Sequence, residues 1–371
     1  SSSCMVYMLE YVFWCVKEEE LRKRINMKKV CVIGHFGFGE NLLNGQTIKT
    51  KIVTKELDKQ FGADQVVKID THGGAKSLPS VVFQMIKAFI KCDNIIIFPA
   101  HNGIKIFVPL CNSINVFFHR RLHYVVIGGW LPSFLKDKSN LKKSLTKFKG
   151  IYVETTTMKN SLYDIGLDNV TILRNFKDIK PLKEEDLNMD IVKPLNICTF
   201  SRVMKEKGIE DIVNAVKEVN EKHKKTIYTL DIYGPVDEQQ TDWFDELQKS
   251  FPDYVKYKGM VQFDKSVEVL KEYFFLAFPT RFYTEGTPGT ILDAYAAGIP
   301  VLASKWESFN DVVDDRLTGI GYEFADYKDL KHKLEHIYEN PNEIIDLKKS
   351  CINKAEEYLP HVAIRVLVDE L

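Results

Sequence analysis

Residues 278–303 have the sequence FPTRFYTEGTPGTILDAYAAGIPVLA. The pattern predicts an apolar strand over 275–278, a loop, a helix over 288–297 that ends at Gly298, and a second apolar strand. A strand, a glycine-containing loop and a helix N-terminus together form a phosphate-binding geometry, because free backbone N–H groups and the helix dipole converge there. This stretch therefore predicts an α/β domain with an anion site.

Two carboxylates frame the loop. Glu285 precedes the helix, and Asp293 lies eight residues later within it. Carboxylates repel phosphate, so they fit better as acceptors for hydroxyl groups on either side of a diphosphate, as in a nucleotide sugar. The alternative is a helix start that simply carries a favourable acid. The predicted nucleotide-sugar contacts in this stretch are Glu285, Gly286, Thr287, Pro288, Gly289, Thr290 and Asp293.

The segment from Glu285 to Asp293, EGTPGTILD, followed by AYAAGIPV, resembles the E-x7-E element of retaining GT-B glycosyltransferases of the family-4 type. Aspartate replaces the usual second glutamate, which keeps the charge and shortens the reach. The resemblance covers most of the chain from Lys28 onward. It implies two Rossmann-like domains whose parallel sheets face each other across a cleft, a nucleotide-diphosphate sugar donor, most simply UDP-linked, and a bacterial polysaccharide pathway.

Composition narrows the class of protein. With 371 residues the chain is long for one domain and suits two. Its 51 basic and 51 acidic residues cancel, which argues against nucleic acid as a partner. Seven scattered cysteines without a C-x-x-C pair indicate reduced thiols and a cytoplasmic location. No apolar run approaches the roughly 20 residues that span a bilayer.

The pattern of strands and helices predicts the domain boundaries. Apolar strands alternate with helical stretches from Lys29 onward, which is typical of parallel, doubly wound sheets. Residues 1–26 fall outside this pattern and are interpreted as a tag or upstream start, an added helix, or an interfacial helix. The predicted parts are an acceptor-side domain at 27–177, a linker at 178–194, a nucleotide-sugar-binding domain at 195–341, and helices at 342–371 that the resemblance implies cross back to the N-terminal domain.

A glycine-rich loop with Gly37 and Gly39 follows the first predicted strand. Its spacing does not fit the dinucleotide motif G-x-G-x-x-G. It resembles the first loop of GT-B enzymes, which implies that its backbone N–H groups approach the donor diphosphate. The alternative is a tight strand-to-helix turn that needs glycine.

Residues 200–208, FSRVMKEKG, resemble the G-R-x-x-x-x-K-G segment of the same family. The resemblance assigns Arg202 and Lys207 to the diphosphate, where fixed cations stabilise the charge that develops as the glycosidic bond breaks. A solvated basic loop is the alternative interpretation, and Lys205 is the alternative to Lys207.

His101 follows the strand predicted at 94–98, at the sheet edge where α/β active sites lie. Many relatives carry a histidine at the end of the next strand, where this chain has Gly128 and Gly129. The amides of these glycines, His101 or His35 could replace it, and a structural histidine is the alternative. The predicted catalytic residues are Glu285, His101, Arg202 and Lys207.

We expect no metal and no cofactor, because the chain has no D-x-D, no H-E-x-x-H and no cysteine–histidine cluster with zinc spacing. The sequence thus predicts a metal-independent, retaining glycosyltransferase whose acceptor is a saccharide or lipid-linked saccharide. Two alternatives are a GT-B sugar-nucleotide epimerase or hydrolase, and a non-catalytic partner subunit. Peripheral association with the inner face of the membrane is a further hypothesis, resting on Lys87, Lys91, Lys142, Lys143, Lys147 and Trp130, which could equally form a solvated face.

Overall fold

The computed structural model describes residues 27–40 and 45–371, so the interpretation of residues 1–26 lies outside the described residues. The chain divides into two compact units, each built on a parallel sheet. The predicted α/β class is confirmed. Among the described residues, no helix is both long and apolar enough to cross a membrane.

The N-terminal unit comprises the described residues up to Glu154, then Met158–Leu173, and finally Ile364–Leu371. Its sheet has the order β2-β1-β3-β4-β5-β6. The strands are β1 Lys28–Gly34, β2 Val66–Asp70, β3 Cys92–Ile97, β4 Arg121–Val125, β5 Gly150–Val153 and β6 Val170–Ile172. The helices between them are α1 Gly45–Phe61, α2 Leu78–Lys91, α3 His101–Phe118, α4 Leu131–Leu135, α5 Ser139–Leu145 and α6 Thr156–Asp164.

The central strands of this sheet are buried on both faces. Ile33 of β1 pairs with Ile69 of β2 on one side and with Ile97 of β3 on the other, and all three side chains are buried. A strand covered by helices on both faces reads as a continuous run of β-branched residues rather than an alternating one. This is why the strand positions could be predicted from the sequence.

The C-terminal unit comprises mainly Arg174–Ala363. Its sheet has the order β12-β11-β10-β7-β8-β9. The strands are β7 Leu195–Phe200, β8 Tyr228–Tyr233, β9 Val255–Gly259, β10 Phe275–Phe278, β11 Val301–Ser304 and β12 Gly319–Tyr322. The helices are α7 Ile209–His223, α8 Thr241–Lys249, α9 Ser266–Leu270, α10 Gly289–Ala296, α11 Phe309–Val312, α12 Tyr327–Glu339, α13 Asn342–Glu356 and α14 Pro360–Ala363; α15 Arg365–Val368 belongs to the N-terminal unit.

The residues at 178–194 pack within the C-terminal unit. The Leu182 N–H donates to the Ala296 carbonyl over 2.8 Å, and the Leu187 side chain lies against Gly298. Both contacts use the exit of helix α10, where a side chain on Gly298 would overlap Leu187. This polar segment therefore follows the surface of the C-terminal unit.

Candidate functional site

The strand–loop–helix unit predicted over residues 275–298 forms at the carboxyl edge of the C-terminal sheet. Strand β10 ends at Phe278, and helix α10 begins at Gly289. Pro288 is extended and is the N-cap, so the helix starts one residue after its predicted start. Gly298 has a φ of 67°, the left-handed exit expected of a glycine. The carboxyl edge of a parallel sheet is where α/β proteins bind ligands.

Lys207 and Glu285 form an ion pair at this edge. The Lys207 ammonium lies 2.7 Å from both oxygens of the Glu285 carboxylate. The two side chains are mostly buried, with 20% and 15% of their surface exposed. Sequence reasoning assigned Lys207 to phosphate and Glu285 to sugar hydroxyls but did not predict their contact. A ligand with more negative charge than one carboxylate could compete for this ammonium.

The Glu285 carboxylate also accepts a hydrogen bond from Thr280, which lies just after strand β10. The Thr280 hydroxyl donates to it over 3.0 Å and accepts the Phe282 N–H over 3.1 Å. The Thr280 carbonyl accepts the Ser304 hydroxyl over 2.6 Å. Strands β10 and β11 thus fix the position of the carboxylate before any ligand is present.

Gly208 allows the turn that carries Lys207 to approach the end of β10. Its φ is 70°, and a Cβ at this position would overlap the Pro279 carbonyl oxygen. Glycine is therefore required twice, for its backbone conformation and for the close approach. The Arg281 N–H donates to the Glu206 carbonyl over 2.8 Å and ties the two loops together.

The two arginines near this edge differ in how strongly they are already bound to a carboxylate. Arg202 is 62% exposed and has a long contact of 3.5 Å with Asp237. Arg281 binds both oxygens of Asp211, at 2.6 and 2.9 Å. A doubly bonded guanidinium is committed to its partner. Arg202 is accordingly the guanidinium that a diphosphate can recruit at small cost.

Asp293 lies on the buried side of helix α10 and pairs with a lysine that sequence reasoning missed. Lys177 lies 2.6 Å from its carboxylate and 4.6 Å above the Phe263 ring. Burial raises the pKa of Asp293, and Lys177 opposes that rise. A cavity of about 660 Å³ adjoins this pair. Its lining includes Lys265 and Ser266, so it combines charged and hydroxyl groups around an aromatic ring.

The glycine-rich loop of the N-terminal unit does not present free amides throughout. The backbone N–H groups of Phe36, Gly37 and Phe38 donate to the Asp70 carboxylate over 2.9, 3.2 and 3.0 Å, and His72 adds a fourth at 2.9 Å. Partial burial raises the pKa of Asp70, but these four donors outweigh it and hold the pKa below its usual value. The Gly37 amide, predicted to face phosphate, is thus satisfied within the protein.

Gly39 lies beyond this cradle. It is exposed, its φ is 86°, and no described atom lies within 4 Å of a Cβ built there. The loop therefore needs glycine at this position for backbone conformation and not for close packing.

His101 follows strand β3 as predicted and is the first residue of helix α3. Its ring stacks on Trp130 with centroids 4.1 Å apart and meets Phe134 edge-on at 5.5 Å. Gly128, at the position where many relatives carry histidine, has a φ of 82°. His35, the other proposed substitute, bonds to Thr47 and to His72, which was not predicted.

Comparison with known proteins gives a family match within the C-terminal unit. The glycosyl transferases group 1 family model matches residues 194–340. A protein of Klebsiella pneumoniae, described as an uncharacterized 41.2 kDa protein in the cps region, is 23% identical over 309 residues, with 77% of this chain and 82% of the relative covered.

Solved structures share the fold over nearly the whole chain. Anabaena Alr3699/HepE, solved in complex with UDP, has a TM-score of 0.68 at 13% identity and covers 92% of this chain and 98% of its own. A glycosyltransferase from Rickettsia africae ESF-5 has a TM-score of 0.64 at 12% identity, with 93% and 98% covered. Residues 194–340 match the glycosyl transferases group 1 family model and the solved structures share the GT-B fold, so the predicted fold and transferase class are confirmed.

Proposed function

We propose that this chain, which has the GT-B fold and matches the glycosyl transferases group 1 family model over residues 194–340, transfers a sugar from a UDP-linked donor to a saccharide or lipid-linked saccharide. The anomeric configuration is retained and no metal is used. The observation that carries the proposal is the Lys207–Glu285 pair at the start of helix α10, with 2.7 Å from the ammonium to each carboxylate oxygen. It places a cation and a hydroxyl acceptor at one helix N-terminus.

The leaving group determines what the cations do. As the bond between the anomeric carbon and the diphosphate breaks, negative charge grows on the diphosphate oxygens. Lys207 and Arg202 meet that charge, together with backbone N–H groups at the start of helix α10. Because a diphosphate attracts Lys207 away from Glu285, the carboxylate becomes free to accept sugar hydroxyls and to steady positive charge at the anomeric carbon.

The nucleoside end of the donor fits the second pair. Asp293 is 4% exposed and is held by Lys177 and Ser266, and we assign its carboxylate to a ribose hydroxyl that competes with Ser266. The adjoining cavity provides the Phe263 ring for a base. The UDP complex of the Anabaena structure supports a uridine nucleotide as the ligand.

The cps-region relative supports a polysaccharide pathway as the setting. A growing polysaccharide offers hydroxyl acceptors, and a lipid-linked one would be reached from the cytoplasmic face of the membrane. We propose that Trp130 and the lysines at 87, 91, 142, 143 and 147 form the surface that contacts the membrane.

Calorimetry with UDP, GDP and ADP, each with and without a chelator, tests donor class and metal use together. We expect UDP to bind most tightly, with the same affinity in chelator. Tighter binding of GDP or ADP would overturn the uridine assignment, and loss of binding in chelator would overturn metal independence.

NMR of the product formed from an α-linked donor should show an α linkage, whereas a β linkage would contradict retention.

A pair of matched variants tests the role of Glu285. Glu285→Gln keeps the shape and removes the charge, so we expect transfer to fall about 100-fold while UDP affinity stays within a few-fold. Glu335→Gln is the control, because Glu335 is also mostly buried and paired, with His223 and Lys222, on another part of the same unit. Release of UDP without dependence on an acceptor indicates a hydrolase or epimerase, and normal activity of Glu285→Gln indicates a partner subunit.

A further inference from the structure

Residues 71–149 have a strong excess of positive charge in a chain whose net charge is zero. They contain twelve lysines and arginines but only two acidic residues, Asp93 and Asp137. Because the whole chain has 51 basic and 51 acidic residues, the remaining residues carry the compensating negative charge. The segment includes helices α2, α3 and α5 of the N-terminal unit. The net charge of the chain therefore conceals a strongly basic part of one unit.

Helices α2, α3 and α5 lie side by side. Phe89 of α2 contacts Phe118 of α3 with ring centroids 6.3 Å apart, and Arg120, just after α3, donates to the Phe89 carbonyl over 2.7 Å. The Asn112 amide of α3 donates to the Ser144 carbonyl of α5 over 2.8 Å. The lysines of the three helices therefore belong to one continuous layer.

The charges of these lysines are not neutralised by carboxylates. Within the part of the chain that the structure describes, the ion pairs of residues 71–149 are those of His72 with Glu40 and of Lys149 with Glu370. None of these pairs involves a lysine of α2, α3 or α5. The layer thus presents cations that can attract an anionic partner.

Helix α3 is apolar on its outer side as well as on its core side. Ile104, Val108 and Cys111 are fully buried. At about 100° per residue, Ile106 and Phe117 point the opposite way, and they are 45% and 46% exposed. The outer side of an ordinary surface helix is polar. An exposed apolar surface of this kind marks a contact with a partner.

Helix α2 adds basic and apolar groups to the same layer. The Phe83 side chain is exposed, and the Lys87 ammonium lies 4.3 Å above its ring. A lysine whose stem covers an aromatic ring keeps its charged end in water, as lysines do at membrane interfaces. The layer therefore combines exposed rings with cations.

This combination of charge and apolar surface decides between partners. Two copies of such a basic layer would repel each other, so it is a poor surface for self-association. A nucleic acid would neutralise the cations and leave the apolar side chains in water. A bilayer with anionic lipid satisfies both, because its headgroups attract lysines and its hydrocarbon boundary accepts apolar side chains.

We infer that helices α2 and α3 form a docking face for anionic lipid, with their lysines at the headgroups and Ile106, Val116 and Phe117 in the hydrocarbon boundary. This names the lipid and the inserted residues for the membrane contact of the proposed function, on which it rests for its setting. Because the rest of the chain is net acidic, the same headgroups repel it, and this favours the basic layer as the side that meets the membrane.

Vesicle sedimentation of the full chain measures this contact without donor or acceptor. We expect binding to vesicles of equal parts phosphatidylcholine and phosphatidylglycerol, weaker binding in higher salt, and little binding to phosphatidylcholine alone. Equal binding to both kinds of vesicle, or none to the anionic ones, overturns the proposal. Tighter binding to duplex DNA than to anionic vesicles would assign the layer to nucleic acid and also overturn it.

Charge-reversed variants locate the contact. Lys87→Glu combined with Lys105→Glu should lower vesicle binding by about 25-fold or more, because each lysine near an anionic surface contributes roughly fivefold. Lys256→Glu combined with Lys258→Glu makes the same change in total charge at exposed positions of the C-terminal unit, and should stay within about twofold of wild type. An equal loss in the two variants would show an effect of total charge alone and overturn the assignment to this layer.

A tryptophan at position 117 tests insertion. Phe117→Trp keeps an aromatic ring at an exposed position, so it should fold, and its added fluorescence should be quenched by vesicles with brominated acyl chains. Val362→Trp, at an exposed position of the C-terminal unit, should add fluorescence that these vesicles do not quench. No added quenching in Phe117→Trp, or equal quenching in both variants, overturns insertion by α3.

Failure of the docking face and failure of the proposed function give different results. A chain that binds UDP but not anionic vesicles loses only the docking face. A chain that binds anionic vesicles through α2 and α3 but binds no nucleotide loses the proposed function and keeps the docking face.

Discussion

His123 is a neutral histidine enclosed between two hydrogen bonds within the N-terminal sheet. The Asn94 amide nitrogen donates to backbone carbonyls of Lys29 and Leu371, so its oxygen faces His123 Nε2 at 3.0 Å. His123 Nδ1 lies 2.9 Å from the Tyr152 hydroxyl. Nε2 therefore carries the proton, and Nδ1 accepts.

This arrangement predicts a specific loss of stability in mild acid. Burial, followed by the positive charges of Arg121 and Lys149, lowers the pKa of His123 to about 3, below its usual 6.5. Because the folded value is the lower one, the unfolded chain takes the proton first. The contribution is fully present above the unfolded pKa and is lost as the pH falls toward the folded pKa. We expect about 1.4 kcal/mol of unfolding free energy to be lost for each pH unit below 6.5.

Urea denaturation at pH 7.5 and 5.0 measures this loss. In His123→Asn the drop between the two pH values should be smaller than in the wild type by about 2 kcal/mol, since nothing at position 123 then titrates. His361→Ala serves as the control, because it removes an exposed histidine from the other unit. Equal drops in wild type and His123→Asn would contradict the assignment.

The sequence predicted which residues belong to the candidate site but not which side chains they contact. The spacing of Glu285, Asp293, Arg202 and Lys207 identified candidates on one edge of one sheet, because strand ends and helix starts are local features. Their partners were not predictable. Lys177 is distant in sequence from Asp293, and whether Lys207 points at solvent or at Glu285 depends on the close approach that Gly208 permits.

At the scale of elements, several buried strands of the C-terminal unit were predicted with their observed bounds. Apolar runs predict strands at 228–233, 275–278 and 319–322, and the structure has strands with these bounds, because a strand buried on both faces carries a continuous apolar run. The sequence predicts a helix over 136–147, and the structure confirms it only at Ser139–Leu145, helix α5, because residues 136–138 between α4 and α5 are not helical. Lys138 has a φ of −119° and a ψ of 66°, which interrupts the helix. Lysine favours helix, so composition gave no signal of the break.

Gly208 lies where the start of helix α7 meets the end of β10, and its substitution should affect both stability and UDP binding. Gly208→Ala forces a Cβ into the Pro279 carbonyl oxygen and strains a φ of 70°. We expect it to cost more than 3 kcal/mol of unfolding free energy and to weaken UDP binding, because the turn carrying Lys207 must move. Denaturation and calorimetry measure the two effects.

Gly259→Ala is the matched control for Gly208→Ala. Gly259 has a φ of 77°, but no described atom lies within 4 Å of its Cβ position. Gly259→Ala should lower the free energy of unfolding by only about 1–2 kcal/mol, the penalty for a left-handed backbone at a non-glycine residue, and should leave UDP binding unchanged. Equal costs for the two variants would show that close approach at Gly208 does not matter.

At the scale of the whole molecule, the chain builds the N-terminal unit from segments at both ends of the described sequence. Residues Ile364–Leu371 belong to that unit although the residues before them form the other one. The Lys29 ammonium donates to the Leu371 carbonyl over 2.7 Å, and Lys149 pairs with Glu370 at 3.3 Å. The N-terminal unit thus completes its contacts only when the last segment is in place.

Leu367→Ala should consequently destabilise the N-terminal unit and leave the C-terminal unit intact. Leu367 is fully buried, so its truncation should cost about 2–5 kcal/mol. Hydrogen exchange resolved by segment should show faster exchange in β1 and β3 and unchanged protection in β7 and β10. Leu334→Ala, fully buried in helix α12, should give the reverse pattern. Since each leucine leaves a cavity in a different core, loss of protection in both units for either variant would mean that they unfold as one.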